Sequence, residues 1–105
     1  MDKTTIEEII QYLKSLYIQS GLKVNSIALF GSALSGEIRP GSDLDLIIIS
    51  DDFENKDIFQ RAKMTMNPEV QTLRKFMVPM DILNMTPSEY EESQIKKFYK
   101  SKIVA

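Results

Sequence analysis

The sequence contains no cysteine and no histidine. Without cysteine there is neither a disulfide framework nor a thiolate metal site. Without histidine the usual general base and the commonest transition-metal ligand are gone. Serine–histidine–aspartate hydrolysis is therefore excluded within this chain. Acid–base or metal chemistry here rests on carboxylates, which favour hard, oxygen-loving ions such as magnesium. No apolar run approaches the roughly 20 residues that span a bilayer. The start, Met1-Asp2-Lys3-Thr4-Thr5, lacks the basic-then-apolar pattern of a signal peptide, so a cytoplasmic location is expected. No surplus of basic charge exists either: 13 Lys and Arg against 15 Asp and Glu leave a net charge of −2. That gives no global field to attract nucleic acid. Lys96, Lys97, Lys100 and Lys102 read as a solvated helix end that complements the helix dipole.

What remains is an ordinary globular balance, with 43% hydrophobic and 27% charged residues in 105. Residues 1–105 are expected to form a single domain. Ile6, Ile9, Ile10, Leu13, Leu16 and Tyr17 recur at helical spacing. Thr4 with Glu7 and Thr5 with Glu8 offer capping boxes before this helix, and Gly21 offers its stop. Val24 to Phe30 reads as a strand. Asp43 to Ser50 reads as a second, whose apolar half, Leu46 to Ile49, suits a central strand covered on both faces. Ile58, Phe59, Ala62 and Met66 fit a helix. Asn67-Pro68 then reads as an N-cap and first-position proline opening another, short helix through Val70 and Leu73. Phe76 to Met85 is a strand candidate that Pro79 pushes to a sheet edge or a bulge. Thr86-Pro87-Ser88-Glu89 combines N-cap, proline and capping-box glutamate, and opens a last helix to about Tyr99. Met64, Met66, Met77, Met80 and Met85 read as core filler. The alternation implies an α+β fold with α/β-type layering, a sheet covered by helices.

The chemistry concentrates between Phe30 and Ile49. Asp43 and Asp45 lie two apart on a strand, so both carboxylates emerge on one face. Two such groups repel unless a cation lies between them. Just upstream, Gly31 lets a phosphate approach the backbone. A helix starting at Ser32 would add N–H groups for an anion. One loop offers an anion cradle and the next strand a metal pair, and a magnesium-bound triphosphate needs both. Taken singly, the aspartates also fit a solvated strand entrance, and Gly31 a plain turn.

Gly31-Ser32, ten residues, then Asp43-Leu44-Asp45 resembles the nucleotidyltransferase superfamily typified by DNA polymerase β. Size and surrounding sequence are similar to its minimal members in bacteria and archaea, a group that includes the MntA-type antitoxins. The resemblance implies the nucleotidyltransferase fold, a small mixed β-sheet flanked by helices. It implies two magnesium ions held by Asp43, Asp45 and a third carboxylate on a later strand, for which Asp81 is the candidate. Asp51 and Asp57 are less suitable, falling in an early helix and a loop. Gly31, Ser32 and Ser42 would contact ATP or another nucleoside triphosphate. The family often carries an arginine where this chain has Ser35; Arg39 reads either as a solvent-exposed loop arginine or as the residue that reaches a phosphate in its place.

The implied activity is transfer of AMP, or another NMP, to a hydroxyl of a protein partner or small molecule. The resemblance implies a partner of the HEPN toxin type; a partner chain, a homodimer, or both are also expected because so small a domain has little surface to enclose an acceptor. Phe98, Tyr99 and Ile103 are candidates for that contact. The alternative is a catalytically silent module of the same fold that neutralises a partner by contact alone. Antibiotic-modifying relatives carry an extra helical domain for which this chain has no room.

Overall fold

The computed structural model describes residues 3–31, 34, 43–98 and 101–105, for Phe98 the backbone alone. A four-stranded sheet has the order β3-β2-β1-β4, with β1 at Ser26–Phe30, β2 at Leu44–Ile49, β3 at Met80–Met85 and β4 at Ser101–Ile103. β1 is antiparallel to both β2 and β4, whereas β2 and β3 are parallel, so the sheet is mixed. The parallel pair needs a crossover, supplied by helix α2 at Ile58–Phe76. Helix α1 spans Lys3–Gln19, and two short helices, α3 at Pro87–Glu92 and α4 at Gln94–Phe98, precede β4.

β2 is central and buried on both faces, as its apolar run implies. Leu44, Leu46 and Ile48 pack against Ile9, Leu13 and Tyr17 of α1, with Met64 and Phe76 of α2 closing over the same side. Ile47 and Ile49 point the other way, toward Ala28 and Tyr90, with Met85 and Ile95 beside them. Each fully buried Leu or Ile stabilises the fold by about 2 kcal/mol. Among the described residues, α3 and α4 cover part of the second face, and none covers its start, where β2 begins.

α1 stops where glycine was expected to stop it: Gly21 takes φ +95, a conformation that excludes most side chains. Its start differs, because Thr4 and Thr5 lie inside the helix rather than ahead of it. Pro79 falls just before β3, and β3 is an edge strand. The Thr86–Glu89 capping box forms in full: Glu89 N donates to Thr86 Oγ1 at 3.2 Å, and Thr86 N donates to Glu89 Oε1 at 2.8 Å. The helix it opens breaks at Ser93, however. Ser93 Oγ donates to Tyr90 O at 2.7 Å and accepts from Lys96 N at 3.2 Å, ending one helix and capping the next.

The larger correction concerns α2. Asn67-Pro68 starts nothing; the helix runs unbroken through it. An earlier capping box nucleates it, with Gln60 N donating to Asp57 Oδ1 at 2.8 Å and Asp57 N donating to Gln60 Oε1 at 2.8 Å. Pro68 sits on the buried side with Thr65 and Thr72. The Thr72 hydroxyl satisfies its own buried donor on Pro68 O at 2.7 Å. The apolar residues whose spacing announced this helix do not face the core. Ile58 and Phe59 are each 76% exposed, and Met66 is 55% exposed. Met77 is also out in solvent, whereas Met64, Met80 and Met85 pack partly buried, so only part of the methionine set is core filler. No helix among the described residues is long and apolar enough to cross a membrane.

Candidate active site

The strand register brings two of the expected carboxylates together. Asp45 of β2 is the direct partner of Asp81 on β3. Facing residues of parallel strands point to the same side, so the two carboxylates share a face. Asp43, just ahead of β2, shares it by alternation. This is the start of the second sheet face, which none of the other described elements covers. Asp43 and Asp81 are exposed and Asp45 is half-buried. Among the described residues no three carboxylates stand at the spacing of a finished metal cage.

Gly31 explains the half-burial. Phe30 pairs with Asp45 across β1 and β2, and Gly31 follows at φ +75. A β-carbon built on Gly31 would lie 2.2 Å from Asp45 Oδ2. The Asp45 carboxylate therefore occupies the space a side chain at 31 would need. The glycine was expected on account of a phosphate; the geometry adds that it seats the aspartate.

Burial pushes the Asp45 carboxyl above its ordinary value, and the neighbouring charges of Asp81 and Asp43 push it the same way. None of these influences among the described residues comes from a cation. Like charges gathered around a half-buried carboxylate suit a divalent cation, which would neutralise them.

The rejected acids are employed elsewhere. Asp51 Oδ2 accepts from Asn25 Nδ2 and Lys23 Nζ, each at 3.0 Å, and these partners hold its carboxyl below the usual range. Asp57 caps α2. Ser32, Arg39 and Ser42, together with Ser35, lie outside the described residues, as do Tyr99 and Lys100. Ile103 is half-exposed on β4, opposite Ala28 of β1.

Two positioning contacts had no signal in the sequence. Arg61 of α2 donates to Asn84 O at 3.0 Å and pairs with Glu89 Oε1 at 2.7 Å. It thereby ties the crossover helix to the end of the strand that carries Asp81. The guanidinium also lies 5.7 Å from the Phe53 ring centre. Tyr90 OH and Ser101 Oγ are 2.6 Å apart, which fastens α3 to β4. These pairs span 28 and 11 residues, beyond the reach of any local pattern. A groove of about 730 Å³ bounded by Ile49, Tyr90, Lys96 and Ser101 is not lined by Asp43, Asp45 or Asp81.

The match to known proteins extends over nearly the whole chain. Residues 6–105 fit the nucleotidyltransferase domain family. The chain belongs to that family. Transfer of a nucleotidyl group is the activity that defines it. The fold is similar to that of a Sulfolobus solfataricus protein described as a candidate nucleotidyltransferase, with TM-score 0.57 and 18% sequence identity. The likeness covers 98% of this chain and 87% of that one. Among curated proteins none matches this sequence.

Proposed function

We propose that this nucleotidyltransferase domain moves AMP from ATP to a hydroxyl on a protein partner, with Asp43, Asp45 and Asp81 holding magnesium. One observation carries the reading: the β2–β3 register sets Asp81 beside Asp45 on one sheet face, with Gly31 pressed against Asp45. The Mechanism follows from what these residues can do. When bound, magnesium supplies charge neutralisation for the triphosphate and for the entering oxygen. Asp45, seated against Gly31, is the half-buried member of the set. Asp43 precedes it at the mouth of the segment running from Gly31, where the triphosphate would lie. Asp81 stands on the edge strand, the side from which a large acceptor can approach. The acceptor hydroxyl attacks the α-phosphorus in line. The P–O bond to the β-phosphate breaks, and pyrophosphate leaves with that electron pair. The hydroxyl proton passes to the Asp81 carboxylate and from there to water, since no histidine is present. By the resemblance to minimal nucleotidyltransferases, the acceptor is a HEPN-type toxin in the cytoplasm, and the modification silences it.

A second reading, control of a partner by contact alone, is favoured by the absence of a finished carboxylate cage among the described residues. One experiment separates the two. ATP, CTP, GTP and UTP are titrated calorimetrically with and without magnesium, into wild type and Asp43→Asn/Asp45→Asn. Magnesium-dependent binding of ATP that the double variant loses supports the transferase. Binding of no triphosphate, with partner control retained in the variant, overturns it.

A further inference from the structure

Helix α2 is built the wrong way round for a helix whose only task is to cover a sheet. Its buried side carries Thr65, Pro68 and Thr72. Its solvent side carries Ile58, Phe59, Met66, Val70, Leu73 and Met77, all exposed, with Met77 at 77%. Phe59, Met66 and Leu73 are seven residues apart, the repeat by which one helix seats against another. The stripe runs the length of the helix, about 29 Å at 1.5 Å per residue. A continuous apolar strip of this kind marks an interaction surface more than scattered single residues would.

Charge identifies what the strip fits. Lys63 and Arg74 fall along one flank of the stripe by helical spacing, with Lys56 just ahead of the helix, and all three are exposed. None makes an ion pair among the described residues, where the pairs are Lys23–Asp51, Arg61–Glu89 and Lys96–Glu91. The helix as a whole sets Arg61, Lys63, Arg74 and Lys75 against Glu69 alone, in a chain that is net acidic. Burial also pushes the Glu69 carboxyl above its ordinary value, which further weakens its acid character. A second copy of this chain is a poor occupant, because two antiparallel α2 helices would set the Lys63 and Arg74 flank against itself. We infer that α2 is the docking surface for an amphipathic helix of a different protein. That helix carries an apolar seam at heptad spacing and carboxylates along the edge facing Lys63 and Arg74. Its site lies across the sheet from Asp45 and Asp81, so it does not depend on the catalytic reading.

The test uses the full chain and two labelled synthetic peptides of three heptads. They share one apolar seam, with glutamate flanks in one and lysine flanks in the other, and binding is read by fluorescence anisotropy. The glutamate peptide is expected to bind, more weakly as salt rises. Met66→Gln/Leu73→Gln, at exposed positions, should weaken it by about tenfold or more with an unchanged circular dichroism spectrum. Lys63→Glu/Arg74→Glu should exchange the preference, losing the glutamate peptide and gaining the lysine one. Equal binding of both peptides, no binding of the glutamate peptide, or no exchange in the charge-reversed variant would overturn the inference. So would sedimentation showing a wild-type dimer that Leu73→Gln dissolves, which assigns the strip to a second copy.

Discussion

Replacing Asp45 by asparagine should make the metal-free protein more stable, although it removes a residue central to the site. The carboxylate is half-buried against Gly31 and faces the charges of Asp81 and Asp43. Asparagine keeps the shape and removes the repulsion. Partly exposed charge pairs are worth about 0.2–1 kcal/mol each, so relieving two of them should stabilise the fold by about 1 kcal/mol. For a domain of this size that raises the melting temperature by about 5 °C. The sign with pH agrees. Because folding raises the Asp45 pKa, the folded chain binds its proton more readily than the unfolded chain. Stability from this group is therefore gained as pH falls through the folded pKa, and is complete below its ordinary value of 3.8. Magnesium should reverse the ranking. At a concentration tenfold above its Kd, a ligand bound only by the folded state adds about 1.4 kcal/mol, and only the wild type should receive it. Thermal melts of both proteins in EDTA and in magnesium measure all four quantities. If Asp45→Asn melts below wild type in EDTA, and magnesium leaves wild type unmoved, the carboxylates are not a strained metal pair.

Gly31→Ala should cost about 1–2 kcal/mol from its positive φ alone. It should also displace Asp45 and abolish magnesium-dependent triphosphate binding, read by calorimetry on protein that is still folded. Glu89→Gln weakens the tie to Arg61, which holds the Glu89 carboxyl below its ordinary 4.5. That stabilisation is present above pH 4.5 and lost as pH falls through the lower folded value. The variant should therefore be about 0.5–1 kcal/mol less stable at neutral pH and equal to wild type in acid, as urea titrations at several pH values would show. Met77 ends α2 in the left-handed region at φ 55, where glycine is at ease. Met77→Gly should raise the urea midpoint by about 0.5–1 kcal/mol equivalent while weakening the glutamate peptide at α2.

Much of the sheet could be read from local pattern. Leu46 to Ile49 announced a strand covered on both sides, Pro79 an edge, and Thr86 to Glu89 a capped helix start. In each case the signal is a rule about neighbours in sequence. The failures share the opposite cause. Asn67-Pro68 has the chemistry of a helix start, but Asp57 and Gln60 had already nucleated the helix upstream. Ile58, Phe59 and Met66 have helical spacing, and spacing alone does not say which face turns inward. Burial of Thr65 and Thr72 on that inward face depends on Thr72 finding Pro68 O, a contact within the finished helix. At the site, alternation placed Asp43 and Asp45 on one face. The pairing of Asp45 with Asp81 is a property of strand register across a 19-residue helix, and no local pattern encodes it. The resemblance supplied Asp81 where periodicity did not.

The three residues of β4 do more than lengthen the sheet. They close the outer edge of β1, the strand that sets Phe30 beside Asp45. Beyond them, Val104 N donates to Ile27 O at 2.8 Å and Ile27 N donates to Ala105 O at 2.9 Å. During synthesis this seal arrives after every other element described here. Until it emerges from the ribosome, the nascent chain carries a raw strand edge able to recruit a neighbouring chain. A messenger truncated before Ser101, or a protease clipping α4, would thus leave a sticky molecule rather than merely a shorter one.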